Sequence, residues 1–294
     1  MAIETVGVVG AGLMGRGIAQ VIATAGLVVR VHDSNGAQVN AARGAIEASL
    51  AKFVDKGKLA PDARDAALAR LHFVPDLADL VGCDLVIEAI AEQRDAKRAL
   101  WAALERICRA EVPFATNTSS LSVVDQAHGL QHPERLVGLH FFNPVPLMPL
   151  VEVVRSIRTA PAVVEAMEAF AHTIGKVPVM ARDTSGFIVN LLLVPYLLDA
   201  VRALEHGSGT IADIDTAMRL GAGHPMGPFT LLDTVGLDTV VQIGEIMFDQ
   251  YRDARYAPTP LLRRMVAAGY HGRKNGIGFY DWRGESPVPM ELGL

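Results

Sequence analysis

The sequence predicts a two-domain fold, an open α/β domain over residues 1–184 and an all-α domain over residues 185–294. Three observations carry that prediction. Short β-branched runs alternate with helical stretches through the first half, the pattern of a parallel sheet with crossover helices. A glycine-rich run, Gly10-Ala11-Gly12-Leu13-Met14-Gly15, follows the first strand and opens a helix. After Asp183 the strand signals end, and the remainder reads as helices separated by Gly and Pro turns.

In order, Val6–Val9 reads as the first strand, and Leu13–Ala25 as a helix that stops at Gly26, a suitable C-terminal cap. Val28–His32 is the second strand. Residues 36–70 read as an inserted helical hairpin, broken around Lys56-Gly57-Lys58-Leu59-Ala60-Pro61. It is longer than an ordinary crossover, and long surface connections tend to carry binding groups. Strands recur at His72–Val74, Leu85–Ile90, Val112–Thr116, Val137–Phe142, Val151–Val154 and Val177–Ala181. In the second half Thr210 and Asp213 form a capping-box-like helix start. The stretch from Gly221 to Pro228 reads as a rigid turn.

Composition narrows the function. The 294 residues are 50% hydrophobic and 20% charged, as an ordered globular protein is. A net charge of −5 supplies no global basic field, so neither nucleic acid nor a membrane surface is expected as a partner. An anionic ligand must be held by a local cluster instead. Cys83 and Cys108 have neither CxxC nor metal-ligand spacing, so no metal is expected and a reducing cytoplasm is the natural location. The chain enters a strand at Ile3 without a secretory segment. Its most apolar window, Phe187–Leu198, is too short to span a bilayer.

The glycine run has the strand–turn–helix context that a dinucleotide needs. Gly10 allows the tight turn, Gly12 lets the backbone approach a pyrophosphate, and Gly15 lets the helix pack close to the strand. Leu13 and Met14 complete the loop, which makes the first domain a Rossmann-type dinucleotide-binding domain. Asp33 ends the second strand, where an acid accepts from both adenosine ribose hydroxyls and repels a 2′-phosphate, favouring NAD over NADP. It also suits a helix cap or turn. Arg30, inside the strand, is poorly placed to accept that phosphate.

Hydride removal from an alcohol needs a base, a group to hold the base, and donors for the substrate oxygens. His140 lies near the end of an apolar strand, in Leu136-Val137-Gly138-Leu139-His140-Phe141-Phe142-Asn143-Pro144, and such strand ends border the ligand crevice. Glu152 lies in the next strand, where an acid amid apolar residues needs a partner. A satisfied core histidine and a solvated edge-strand acid are the alternatives. In Asn117-Thr118-Ser119-Ser120-Leu121-Ser122, Asn and Ser side chains are able to donate to a substrate oxygen, and Ser120 or Ser122 equally suits a helix cap. Asn190, amid apolar helical residues, reads as a site donor or an interhelical tie.

These stretches, with Gly10–Ala19, Gly186–Asn190, Asp213–Pro228 and Gly276–Tyr280, make the chain resemble the short-chain (S)-3-hydroxyacyl-CoA dehydrogenases over nearly its whole length. Bacterial 3-hydroxybutyryl-CoA dehydrogenases belong to that family. The resemblance implies reversible oxidation of a short (S)-3-hydroxyacyl-CoA by NAD, with an all-helical second domain that forms a homodimer. It implies that His140 is the base, that Glu152 orients it, and that Ser119 and Asn190 position the substrate oxygens. It implies that Glu92, Lys97, Asn143 and Lys274 lie near the ribose and nicotinamide, and that Ser49 and Lys56 contact coenzyme A, with Lys52 adding charge nearby. The chain departs from the family at Pro149, where lysine is common, and at Leu191, where arginine is common. Both departures bear on acyl preference or packing. Two rival functions use the same fold: oxidation of a free hydroxy acid or sugar acid, against which Ser49, Lys52 and Lys56 argue, and non-catalytic NAD binding, against which Ser119, His140, Glu152 and Asn190 argue.

Overall fold

The computed structural model describes residues 3–293. They form two compact units, one running to Phe187 and the other starting at Ile188.

The first unit is built on eight strands: β1 (Thr5–Val9), β2 (Val28–His32), β3 (Leu71–Phe73), β4 (Leu85–Glu88), β5 (Phe114–Thr116), β6 (Leu136–Phe141), β7 (Leu150–Arg155) and β8 (Val177–Arg182). Their order is β3-β2-β1-β4-β5-β6-β7-β8. Six helices accompany them: α1 (Leu13–Thr24), α2 (Gly36–Asp55), α3 (Pro61–Ala69), α4 (Arg94–Ile107), α5 (Val123–Gln126) and α6 (Pro161–Thr173). The central strands are apolar on both faces. Every residue of β4 and β6 is buried, and Val6, Val8, Val29, Val31 and Ile87 are wholly inaccessible. Helices on both sides of a parallel sheet demand such runs, and truncating Ile87 to alanine would cost about 2–5 kcal/mol.

Strand order reverses between β1 and β4, the switch point at which α/β sheets open a ligand crevice. β1, β2, β4, β5 and β6 pair parallel, so the segments that follow them all leave from one edge. The expectation of a parallel sheet needs one correction: β6 and β7 pair antiparallel. Only residues 142–149 join these strands, too few for a crossover. That reversal sets His140 directly opposite Glu152.

The insertion between β2 and β3 is α2 followed by α3. Asn35 caps α2 by accepting from Ala37 N at 3.0 Å. The buried residues of α2 are Ala42, Ile46 and Leu50, a stripe of four-residue spacing that leaves the other faces in solvent. Pro61 opens α3 at the position where a missing N–H costs nothing.

The second unit contains α7 (Val189–Glu205), α8 (Ile211–Gly221), α9 (Pro228–Val235), α10 (Leu237–Tyr251) and α11 (Pro260–Ala267), around a core that includes Leu197, Leu198, Val201, Phe229, Leu232 and Phe279. Thr210 and Asp213 form the capping box of α8. Two buried acids tie the loops to this core. Asp215 accepts from Phe229 N at 2.7 Å and Tyr280 Oη at 3.0 Å. Asp233 accepts from Phe279 N, Tyr280 N and Trp282 Nε1 at 2.8–2.9 Å. The glycine at 227 has a reason: a Cβ there would meet Asp215 Cγ at 2.3 Å. One correction applies here too, since a two-stranded antiparallel ribbon, β9 (Tyr280–Asp281) with β10 (Val288–Pro289), follows the helices. Strands of two residues are too short for alternation to reveal. No helix among the described residues is long and apolar enough to cross a membrane.

Candidate active site

The glycine loop occupies the switch point. Gly10 has φ +102°, and a Cβ on it would meet Ala89 O, just past β4, at 2.4 Å. A Cβ on Gly15 would meet Gly10 O at 1.7 Å. Gly12 differs, because a Cβ there would meet nothing within 4 Å. Its backbone borders open space at the amino end of α1. That end carries no side-chain cap and no acid in its first turn, so its N–H groups and the positive end of its dipole remain for an anion. Asp33, just past β2, accepts from Ala11 N at 2.8 Å and from Asn35 N at 2.9 Å. The acid thus sits against the loop itself. An open glycine, an uncapped helix start and an adjoining acid fit a dinucleotide.

A cleft of about 210 Å3 brings together residues from three segments. Leu13 and Arg16 come from α1, Ser49 and Phe53 from the insertion, and Asn143 from the β6–β7 connection. Residues expected beside the cofactor and a residue expected beside the substrate carrier therefore share one cavity. Gly17 permits this closeness, since a Cβ there would press on Val145 Cβ at 2.9 Å. A second cleft of about 370 Å3 shares Phe53, Gln20 and Pro146 and reaches Lys58 and Lys176. Lys56 lies just past α2 as its C-terminal cap, and both it and Lys52 are exposed.

At the end of β6, His140 Nδ1 lies 2.7 Å from Glu152 Oε2. His140 is 4% exposed and Glu152 1%, which excludes a solvated edge-strand acid. With the carboxylate as acceptor, Nδ1 is the protonated nitrogen and Nε2 keeps its lone pair. Phe142 and Phe187 flank the imidazole, with ring centroids 4.5 Å and 5.6 Å away. Asn117, at the end of β5, accepts from Phe141 N at 2.9 Å and so fixes the strand end that carries His140.

The segment after β5 is held by a buried charge cluster. Glu92 accepts from the Thr118 hydroxyl and from Ser119 N at 3.1 Å. Lys97, 1% exposed, reaches Glu92 at 3.0 Å and Glu88 at 2.7 Å. Ser122 is the N-cap of α5, accepting from Asp125 N at 3.3 Å, and Asp183 accepts from Val123 N and Val124 N at 2.8 and 2.7 Å. In the second unit, Asn190 lies in the first turn of α7, and the Lys274 ammonium pairs with Asp238 at the start of α10.

Sequence reasoning passed over Asn117 as a positioning group, and also Glu88 and Lys176. Glu88 had a usable signal, an acid closing the apolar run Leu85-Val86-Ile87, the same signal that marked Glu152. Lys176 follows Gly175 and had none. Its ammonium donates to Val145 O at 2.6 Å and Met148 O at 2.7 Å, which pins the connection carrying Asn143. No group of acids, histidines and cysteines among the described residues is arranged to hold a metal ion.

Comparison with known proteins finds relatives along nearly the whole chain. Residues 5–184 match the family model for the 3-hydroxyacyl-CoA dehydrogenase NAD binding domain, and residues 186–282 match that for the 3-hydroxyacyl-CoA dehydrogenase C-terminal domain. A 3-hydroxybutyryl-CoA dehydrogenase of Mycobacterium tuberculosis is 47% identical over 283 residues, covering 96% of this chain and 99% of the relative. One from Bradyrhizobium diazoefficiens is 42% identical, covering 98% of each. The crystal structure of the (S)-3-hydroxybutyryl-CoA dehydrogenase PaaH1 from Ralstonia eutropha superposes with a TM-score of 0.92 at 40% identity, covering 96% of this chain and all of that one (100%).

Proposed function

The chain belongs to the 3-hydroxyacyl-CoA dehydrogenase family, and on that premise we propose that it oxidises an (S)-3-hydroxyacyl-CoA to the 3-oxoacyl-CoA, reversibly and with NAD. It is an oxidoreductase acting on CH–OH. The observation that carries the mechanism is the buried bond of 2.7 Å between His140 and Glu152 at a sheet edge that also bears the glycine loop.

NAD, when bound, supplies the hydride acceptor. Gly10, Gly12, Leu13, Met14 and Gly15 receive the pyrophosphate, and Asp33 receives the adenosine ribose. Glu92, with Lys97 behind it, Asn143 and Lys274 serve the ribose and nicotinamide. Ser49 and Lys56 hold coenzyme A, and Ser119 and Asn190 orient the substrate oxygens. Nε2 of His140 takes the hydroxyl proton while Glu152 stabilises the imidazolium that forms. In reduction the same nitrogen returns the proton. The relatives named for 3-hydroxybutyryl-CoA favour a short acyl chain, and Pro149 and Leu191 mark where this chain's preference would diverge.

A homodimer goes with this reading, and Leu192, Leu220 and Val235 of the second unit are exposed apolar side chains. So does a cytoplasmic location, supported by two free buried cysteines, of which Cys83 has its thiol pushed up to about 12 by burial.

Steady-state oxidation of NADH with acetoacetyl-CoA and longer 3-oxoacyl-CoAs tests the proposal. Turnover should be fastest with a short thioester. Equal turnover of the free 3-oxo acid would favour a hydroxy-acid dehydrogenase instead.

A further inference from the structure

Lys97 is enclosed by two carboxylates. An ammonium has three N–H groups. In this chain its nitrogen lies 2.7 Å and 2.9 Å from the two oxygens of Glu88 and 3.0 Å from Glu92 Oε2. Glu88 is equally committed: it is wholly buried and also accepts from Thr116 Oγ1 at 2.7 Å and Ile90 N at 2.8 Å. Glu92 differs from both. Its side chain is 23% exposed, and its other oxygen gathers the Thr118 hydroxyl, Ser119 N and Ser120 Oγ.

Two carboxylates therefore divide one lysine. Burial pushes the Glu88 carboxyl up, against the pull of Lys97. Burial pushes Glu92 the same way, but there Lys97, Thr118 and Ser119 prevail and hold it below the usual carboxylate range. Without Glu88, the ammonium would draw both oxygens of Glu92 to itself, and Glu92 would release Ser119.

We infer that Glu88 is a positioning residue: Glu88 fixes Lys97, Lys97 fixes Glu92, and Glu92 fixes Ser119, so that Lys97 acts on bound ligand only through Glu92. The inference rests on the functional reading above for the roles of Glu92 and Ser119.

A double-mutant cycle tests it. Glu88→Gln, Glu92→Gln and the double variant are compared by NADH dissociation constant, from nucleotide fluorescence, and by kcat/KM with acetoacetyl-CoA. Glu88→Gln should worsen both by about tenfold, a coupling usual for residues in one hydrogen-bond network. In the Glu92→Gln background the same substitution should change neither by more than about twofold. Equal losses in the two backgrounds, or no loss in either, would overturn the inference, since a merely structural acid would lower the melting temperature alike in both. If Glu88→Gln does not fold, Glu88→Asp, which keeps the charge but shortens its reach to Lys97, carries the same cycle with the same criterion. The NADH arm needs no thioester, so it decides the inference even if the unmodified chain turns over no acyl-CoA, a result that would instead overturn the proposed function.

Discussion

The carboxylate of Asp33 accepts a hydrogen bond from Ala11 N at 2.8 Å, so the acid that ends β2 is fastened to the glycine loop that ends β1. A 2′-phosphate at that point would face a fixed negative charge, and like charges in contact cost several kcal/mol. NAD should be preferred to NADP by about a hundredfold or more in kcat/KM. Asp33→Ser should shrink that gap at least about tenfold. Equal use of the two cofactors by the unmodified chain would contradict this role for Asp33.

Lys56 stands at the end of α2, exposed, on a chain of net charge −5. If it meets the nucleotide of coenzyme A, Lys56→Ala should raise KM for acetoacetyl-CoA roughly two- to tenfold, leave kcat unchanged, and weaken with added salt. A thioester truncated to pantetheine should show no change. An equal rise for both substrates would reduce Lys56 to a solvated surface charge.

Lys176 is 6% exposed and donates to two carbonyls of the β6–β7 connection. Lys176→Met leaves those acceptors unsatisfied and should cost about 1–3 kcal/mol at neutral pH. Burial holds the Lys176 ammonium below the ordinary lysine value. Between that lowered value and the ordinary one the unfolded chain binds the extra proton, so this lysine contributes stability that increases as pH rises through the window. The gap in urea midpoint between the unmodified chain and Lys176→Met should therefore widen toward the ordinary lysine range. A gap that stays constant across alkaline pH would show that the buried ammonium does not titrate differently on folding.

Much of the fold was legible because its signals are local. Glycine spacing after a strand, apolar runs in β4 and β6, and the four-residue stripe of α2 are each contained in a short window. Pairing sense was not local: nothing in residues 136–155 but the length of the connection distinguishes an antiparallel step from the parallel ones around it. The ribbon of β9 and β10 was hidden because its strands are two residues long and its anchor, Asp233, lies 47 positions before Tyr280. The same limit applied to the site. His140 and Glu152 stood out singly as polar residues in apolar strands. The enclosure of Lys97 between Glu88 and Glu92 depends on how α4 is placed after β4, which no spacing in the sequence encodes.

The pH dependence of His140→Gln tests the account most directly. Glutamine keeps a donor toward Glu152 and nearly the same volume, so the variant should fold and bind NADH. It has no lone pair basic enough to take the hydroxyl proton, and turnover should fall by about 10²–10⁴-fold, the usual contribution of a general base. Glu152→Gln should also slow turnover, because an amide stabilises the imidazolium less than a carboxylate does. In the oxidation direction, kcat/KM of the unmodified chain should decline as the medium is acidified, since only an unprotonated base takes the hydroxyl proton. That acid limb should be absent from what activity His140→Gln retains. Near-normal turnover of His140→Gln with the acid limb intact would make His140 a core histidine and assign the base elsewhere.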